Sequence, residues 1–164
     1  MAYIPDIIDY RPFYIQTDAD ANAIDTTAFG MVAKSTPYPV LPTPKEPYKN
    51  TWLDEDGDDE YNAQMRYESF EFEVSFYVKT LGRDSEKTMI SQIESFFSKI
   101  KSGEFKIYDS YTGLGRQRVR YAGYSEESKK VSSSWARSIF TIKFKVNDPI
   151  TRITLSDGKL VEAS

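Results

Sequence analysis

The chain has 164 residues, enough for one domain with a substantial core and too few for two ordinary ones. It contains no Cys and no His, which removes disulfides, thiolate nucleophiles, His-dependent catalytic triads and His-ligated zinc. Any acid or base working near neutral pH is then a strongly perturbed carboxylate, Lys or Tyr, so most enzyme mechanisms are disfavoured.

The formal charge of −4 conceals an asymmetry, because residues 1–60 hold 12 acidic and 4 basic side chains (−8) while residues 61–164 hold 13 and 17 (+4). The two parts attract, whether within one chain or between copies. No apolar run approaches membrane-spanning length, and the start Met1-Ala2-Tyr3-Ile4-Pro5-Asp6 lacks the basic and apolar segments of a signal peptide. No membrane partner and a cytoplasmic site of synthesis are expected.

Residues 1–66 read as an extended arm and loop. Pro37, Pro39, Pro42, Pro44 and Pro47 forbid a helix and a central strand there, although Tyr10–Gln16 and Phe29–Lys34 each admit a short strand. The segment Asp54 to Glu60 follows as an acidic turn. Its carboxylates invite calcium, but Asp54, Glu55 and Asp56 precede Gly57 directly, so the one-three-five register of a calcium loop fails and a solvated turn is the better reading. The patterns Pro39 to Pro42 and Pro44 to Pro47 fit proline-binding grooves, with loop stiffening as the commoner use.

From Tyr67 two hydrophobic periods succeed each other. Phe70, Phe72, Val74, Phe76 and Val78 alternate with Ser69, Glu71, Glu73, Ser75 and Tyr77, which predicts a strand over about 67–80 with one buried face. Met89, Ile90, Ile93, Phe96, Phe97 and Ile100 then line one stripe of a helix over about 85–101, capped by Asp84 or Ser85 and ended by Gly103. Both apolar faces are buried if the helix covers the sheet.

Strands are expected at about 104–108 and 116–124, joined by a glycine-containing loop that matches neither a phosphate-binding loop nor a dinucleotide fingerprint. Ser125–Ser134 reads as a mobile polar connection. Trp135–Asn147 reads as a strand that buries Phe140, Ile142, Phe144 and Val146, and Asn147-Asp148-Pro149 stops it. Asp157-Gly158 marks the turn of a terminal hairpin, which needs a sheet edge on this chain or on a neighbour.

The fold class is therefore α+β: an antiparallel sandwich or barrel-like sheet packed by one helix. It forms a single domain over 1–164, with arm and loop at 1–66, core at 67–150 and terminal hairpin at 151–164.

Two constellations admit function. Arg116, Arg118 and Arg120 alternate with Gln117, Val119 and Tyr121, so a regular strand presents three guanidinium groups on one face. They suit nucleic-acid phosphates, but pairing with Glu71 and Glu73 across a sheet, or with the acidic turn of an adjacent subunit, is favoured in an acidic chain. Glu71 and Glu73 share a strand face, which leaves open a carboxylate pair of hydrolytic type. No catalytic residue, metal or cofactor is assigned. Twelve tyrosines serve equally as interface area or as the margin of a small core.

The order of arm, amphipathic strand, single helix and antiparallel strands resembles the tail-tube fold shared by phage tube proteins, distal tail proteins and tail terminators. The resemblance rests on Asn50-Thr51-Trp52-Leu53-Asp54-Glu55-Asp56-Gly57, Phe70 to Phe76, the helix, Phe105 to Asp109 and Phe140 to Val146, about two thirds of the chain. It is similar above all to the N-terminal ring-forming domain of a distal tail protein.

That resemblance implies a hexameric ring in the virion tail, assembled in the host cytoplasm, coaxial with tube, tape-measure and baseplate hub proteins. DNA passes through its lumen without specific binding. It makes Glu71 and Glu73 candidates for an acidic lumen, and Asp54, Asp56, Asp58, Asp59, Arg116, Arg118 and Arg120 candidates for contacts between subunits. No carbohydrate-binding-like second domain is expected after about residue 150. A carboxylate-dependent hydrolase and a small nucleic-acid-binding module are the alternatives of other classes.

Overall fold

The computed structural model describes residues 13–35, 41–45, 49–51, 58–60, 66–101, 103–110 and 112–163. Its strands are β1 (Phe13–Gln16), β2 (Ile24–Asp25), β3 (Met31–Ser35), β4 (Lys49–Thr51), β5 (Asp58–Glu60), β6 (Phe70–Leu81), β7 (Phe105–Asp109), β8 (Leu114–Val131), β9 (Trp135–Val146), β10 (Ile153–Ser156) and β11 (Lys159–Glu162). Among the described residues a single α-helix, α1, spans Ser85–Ile100. The architecture is the expected α+β arrangement of an antiparallel sheet with one helix.

Seven strands form one sheet in the order β2-β1-β7-β8-β9-β6-β3. Its two marginal strands, β2 and β3, are joined by a 3-10 turn at Thr26–Phe29, so the margins are drawn together and the sheet curls around its apolar face. Phe13 of β1 meets Phe76 of β6 at 6.0 Å between ring centroids, although β7, β8 and β9 separate them in the sheet.

The alternation read in β6 points Phe72, Val74, Phe76 and Val78 into this core, beside Phe140, Ile142, Phe144 and Val146 of β9. Asp84 precedes α1 but does not cap it. Its backbone is left-handed (φ 58°), where a side-chain cap needs an extended residue, and its carbonyl merely accepts from Thr88 N–H at 3.0 Å. The helix buries Met89, Phe96 and Ile100, and Phe96 packs on Phe29 and Phe76. Ile90 and Phe97 were expected in the same stripe but lie on its flank, each 41% exposed, because α1 faces β6 and β9 and reaches only the margin of β8.

The polar connection expected at Ser125–Ser134 is mostly strand. β8 runs to Val131, and only Ser132–Ser134 turn, closed by Ser132 N–H donating to Trp135 O at 2.8 Å. The terminal hairpin β10–β11 forms a separate two-stranded sheet and docks on its own chain, burying Ile153 and Leu160. Leu160 N–H donates to Gln16 Oε1 at 2.7 Å, and Lys106 Nζ donates to Leu160 O at 3.2 Å. Asp157 and Gly158 take the positive φ angles (51° and 77°) that the Asp-Gly pair predicts.

Asp20 ties the β1–β2 loop to the end of α1. Its carboxylate accepts from Thr17 N–H, from Thr17 Oγ1 at 2.8 Å and from Lys99 Nζ at 2.8 Å. Burial alone pushes this carboxyl up, but Lys99 and Thr17 outweigh it and hold the pKa below the ordinary Asp value. A depressed folded pKa contributes stability that is complete above the unfolded pKa, about 3.9, and disappears as pH falls through the lower folded value. Urea midpoints are expected to drop between pH 5 and pH 3, and the drop is expected to be shallower in Asp20→Asn. An equal slope in both proteins would remove Asp20 from the acid response.

Candidate assembly surfaces

β3 pairs with β6, Val32 opposite Tyr77, an isolated bridge joins Pro44 to Tyr67, and β4 pairs with β5, Asn50 opposite Asp59, as a separate two-stranded sheet. The arm expected to be irregular contains ladder pairs, and its Pro44 is itself in the isolated bridge to Tyr67. Asp58 and Asp59 lie on β5, whereas Asp54 and Asp56 fall in 52–57, outside the described residues, as do Pro37, Pro39 and Pro47.

The three arginines do not share a face. Ile107 pairs with Arg116 and Phe105 with Val119, so one residue of β7, Lys106, spans two of β8, and Arg118 on the bulge has φ 54°. Arg116 is turned to the side of Ile107 and is only 5% exposed, with Nη1 donating to Gly115 O at 3.0 Å. Arg118 is exposed, 3.6 Å from Glu104, and Arg120 is exposed opposite Lys145. Pairing of these arginines with Glu71 and Glu73 within the sheet is ruled out by strand order, because β9 lies between β6 and β8. Glu71 and Glu73 stand instead opposite Lys145 and Lys143, and Lys143 Nζ approaches Glu71 at 3.6 Å.

The solvent face of β6, β9 and β8 is thus not acidic. In register it carries Lys79, Arg137 and Lys130 in one row, then Glu73 and Lys143, then Glu71, Lys145 and Arg120, with Glu127 on a bulge. Six cations against three carboxylates give +3. The alternation of β9 already turned Lys143 and Lys145 outward, but the row of three becomes visible only when the registers of three strands are known.

A second surface lies on the helix side. From Arg120 to Val131, β8 pairs with β9 alone among the described residues, so twelve residues present an open edge. Beside it Ile90, Phe97, Tyr124 and Val131 are 41%, 41%, 50% and 47% exposed, and a groove of about 440 Å³ opens between Ile90 and Val131. Of the two carboxylates lining it, Asp84 and Glu86, the latter is bound to Lys129 at 2.9 Å. Burial and a hydrogen bond to Glu126 push the Tyr124 phenol up to about 12, leaving it a neutral donor. Among the described residues no three acidic side chains cluster as a metal site, and no helix is long and apolar enough to cross a membrane.

A curled antiparallel sheet backed by one helix is a fold that this chain shares with a solved phage protein. The likeness is to the crystal structure of the Dit (gp 19.1) protein of SPP1, titled a paradigm of the hub adsorption apparatus in phages infecting Gram-positive hosts. The match has a TM-score of 0.57 at 17% identity and covers 87% of this chain and 52% of that one. The chain thus spans about half the length of that protein, and at this identity the shared property is the fold. No protein-family profile and no curated protein sequence matches the chain.

Proposed function

We propose that the protein is a structural ring subunit of a phage tail, of the distal-tail, hub type rather than a tube subunit or terminator. It assembles as a hexamer around a channel for DNA, in contact with tube, tape-measure and baseplate proteins, and performs no catalysis. The observation that carries this reading is the fold likeness to SPP1 Dit over 87% of the chain. The open edge of β8 supports it independently, since exposed sheet edges invite pairing and a ring of copies completes them.

On this reading the solvent face of β6, β9 and β8 lines the channel. Glu71 and Glu73 then share the lumen with Lys143 and Lys145, so its charge is mixed rather than uniformly acidic. Arg118, exposed beside Glu104 at 3.6 Å, is then a candidate for contact with a neighbouring subunit.

Native mass spectrometry and negative-stain imaging test this. Six copies of 18.9 kDa are expected as a ring of about 113 kDa with a central hole. The double variant Ile90→Asp, Val131→Asp is expected to abolish the ring while shifting the monomer's melting temperature by less than about 4 °C, because both side chains are already partly in water. A protein of 18.9 kDa at every concentration, with or without tube and tape-measure partners, would refute the ring.

A further inference from the structure

Along β8, Glu126 and Glu127 are followed across Ser128 by Lys129 and Lys130, and the exposed Tyr124 and Val131 stand at the two ends of the stretch. Its charges cancel, and its outer edge pairs with no described strand. Such a stretch is complementary to a reversed copy of itself. With a two-fold axis between Glu127 and Ser128, Glu126 falls opposite Lys129, Ser125 opposite Lys130 and Tyr124 opposite Val131, each pair occurring twice.

A regular strand could not make these pairs. Directly opposed residues share a face, and positions an odd number apart on a regular strand lie on opposite faces. The bulge at Glu127 removes the mismatch. Tyr124, Glu126, Lys129 and Val131 stand opposite Ile142, Phe140, Ser138 and Ala136 of β9, all buried, so the four share the helix side. Ser125 and Lys130, opposite Thr141 and Arg137, share the other side.

We propose that in the free protein two copies close this edge on each other, residues 124–131 pairing antiparallel across the two-fold axis. Charge complementarity selects a second copy as the occupant: opposite charges facing each other across strands are favourable, and Glu126 meets Lys129 on both sides of the axis. Both groups are already held on the helix side, Lys129 by its ion pair with Glu86 at 2.9 Å and Glu126 by the hydrogen bond that Tyr124 Oη donates at 3.1 Å. The partly exposed Ile90 and Phe97 lie on the side of the seam where Tyr124 meets Val131. The inference goes beyond the ring reading, because it concerns the chain before assembly. The dimer occupies the edge that a ring would use, guards it from indiscriminate pairing and competes with ring closure.

Charge exchange in the full chain tests the register. Glu126→Lys and Lys129→Glu, both at exposed positions, are each expected to raise the dimer dissociation constant about tenfold or more in sedimentation velocity, at concentrations below ring closure. The double exchange is expected to return it to within about threefold of the unmodified protein. Glu86 stays a carboxylate throughout, so loss of its pair with Lys129 predicts no such rescue. Because the chain has no Cys, Ser125→Cys and Lys130→Cys supply the sole thiols. On mild oxidation their mixture is expected to give a disulfide-linked dimer, two copies of 18.9 kDa, that neither variant gives alone. A chain of 18.9 kDa at every concentration up to about 1 mM, a dimer indifferent to the charge variants, or a mixture without the cross-link would overturn the pairing, and none of these bears on a ring closed with tail partners. A dimer that behaves as expected and never proceeds to a hexamer would remove the ring and keep the pairing.

Discussion

Phe76→Ala is expected to lower unfolding free energy by about 3–5 kcal/mol, the cost of truncating a buried aromatic and leaving part of its cavity open. Phe76 is fully buried and touches the rings of Phe13, Phe96 and Phe140 at 6.0, 5.7 and 5.9 Å. Those partners belong to β1, α1 and β9, so one side chain joins the curled margin, the helix and the centre of the sheet. Against a total stability of about 5–15 kcal/mol for an ordinary domain, the loss is large. Urea denaturation followed by tryptophan fluorescence reads it, and a change under about 1 kcal/mol would mean that the core does not close around this ring.

Gly115→Ala is expected to release the terminal hairpin. The strand at Gly115 runs so close to its neighbours that an added Cβ would collide with Ile153 O and sit 2.9 Å from Ile107 O, both backbone atoms that no rotamer change can move. Relief requires β10 to lift, exposing Ile153 and Leu160 and breaking the Leu160–Gln16 and Ala23–Gly158 hydrogen bonds. Two apolar side chains at about 1.5–3 kcal/mol each, partly offset by freedom regained, make the cost about 2–4 kcal/mol. Hydrogen exchange gives the clearer readout: the amides of residues 153–163 are expected to exchange at least tenfold faster, while those of β6 and β9 slow or quicken only with global stability. Undiminished protection at Leu160 would show that the strands part elsewhere.

Legibility in the sequence followed burial. In β6, β9 and α1 an apolar face packs against a core, and the periods of two and 3.6 residues expose that face directly. The outer half of β8 has no such face. Ser125-Glu126-Glu127-Ser128-Lys129-Lys130 is wet on both sides, so its composition reads as loop, and only the ladder to β9 makes it strand. The bulge at Arg118 similarly escapes alternation, because one left-handed residue moves Arg116 to the opposite side without changing the residue order. Ile90 and Phe97 fit the helical stripe by spacing alone, and the narrow contact of α1 with β8 leaves them out.

Charge was legible as a quantity and illegible as a place. The excess of acid before residue 60 and of base after it shows in the order of residues, whereas the row of Lys79, Arg137 and Lys130 depends on strand registers that no local pattern encodes. The β4–β5 pairing is similar. Pairs such as Asn50 with Asp59 are made by backbone groups, which every residue but proline carries alike.

The link of β2 to β3 across the two margins has a kinetic meaning. β1 finds β2 nearby in sequence, but its other edge pairs with β7, Phe13 opposite Asp109, and stays open until more than ninety further residues have emerged. The β8–β9 hairpin, by contrast, closes across a turn of three residues. Long loop closure delays non-local pairing, so zipping of the hairpin precedes joining of the margins. Until that late step the sheet is uncurled, so its final curvature is reached only once β7 and the strands after it are in place.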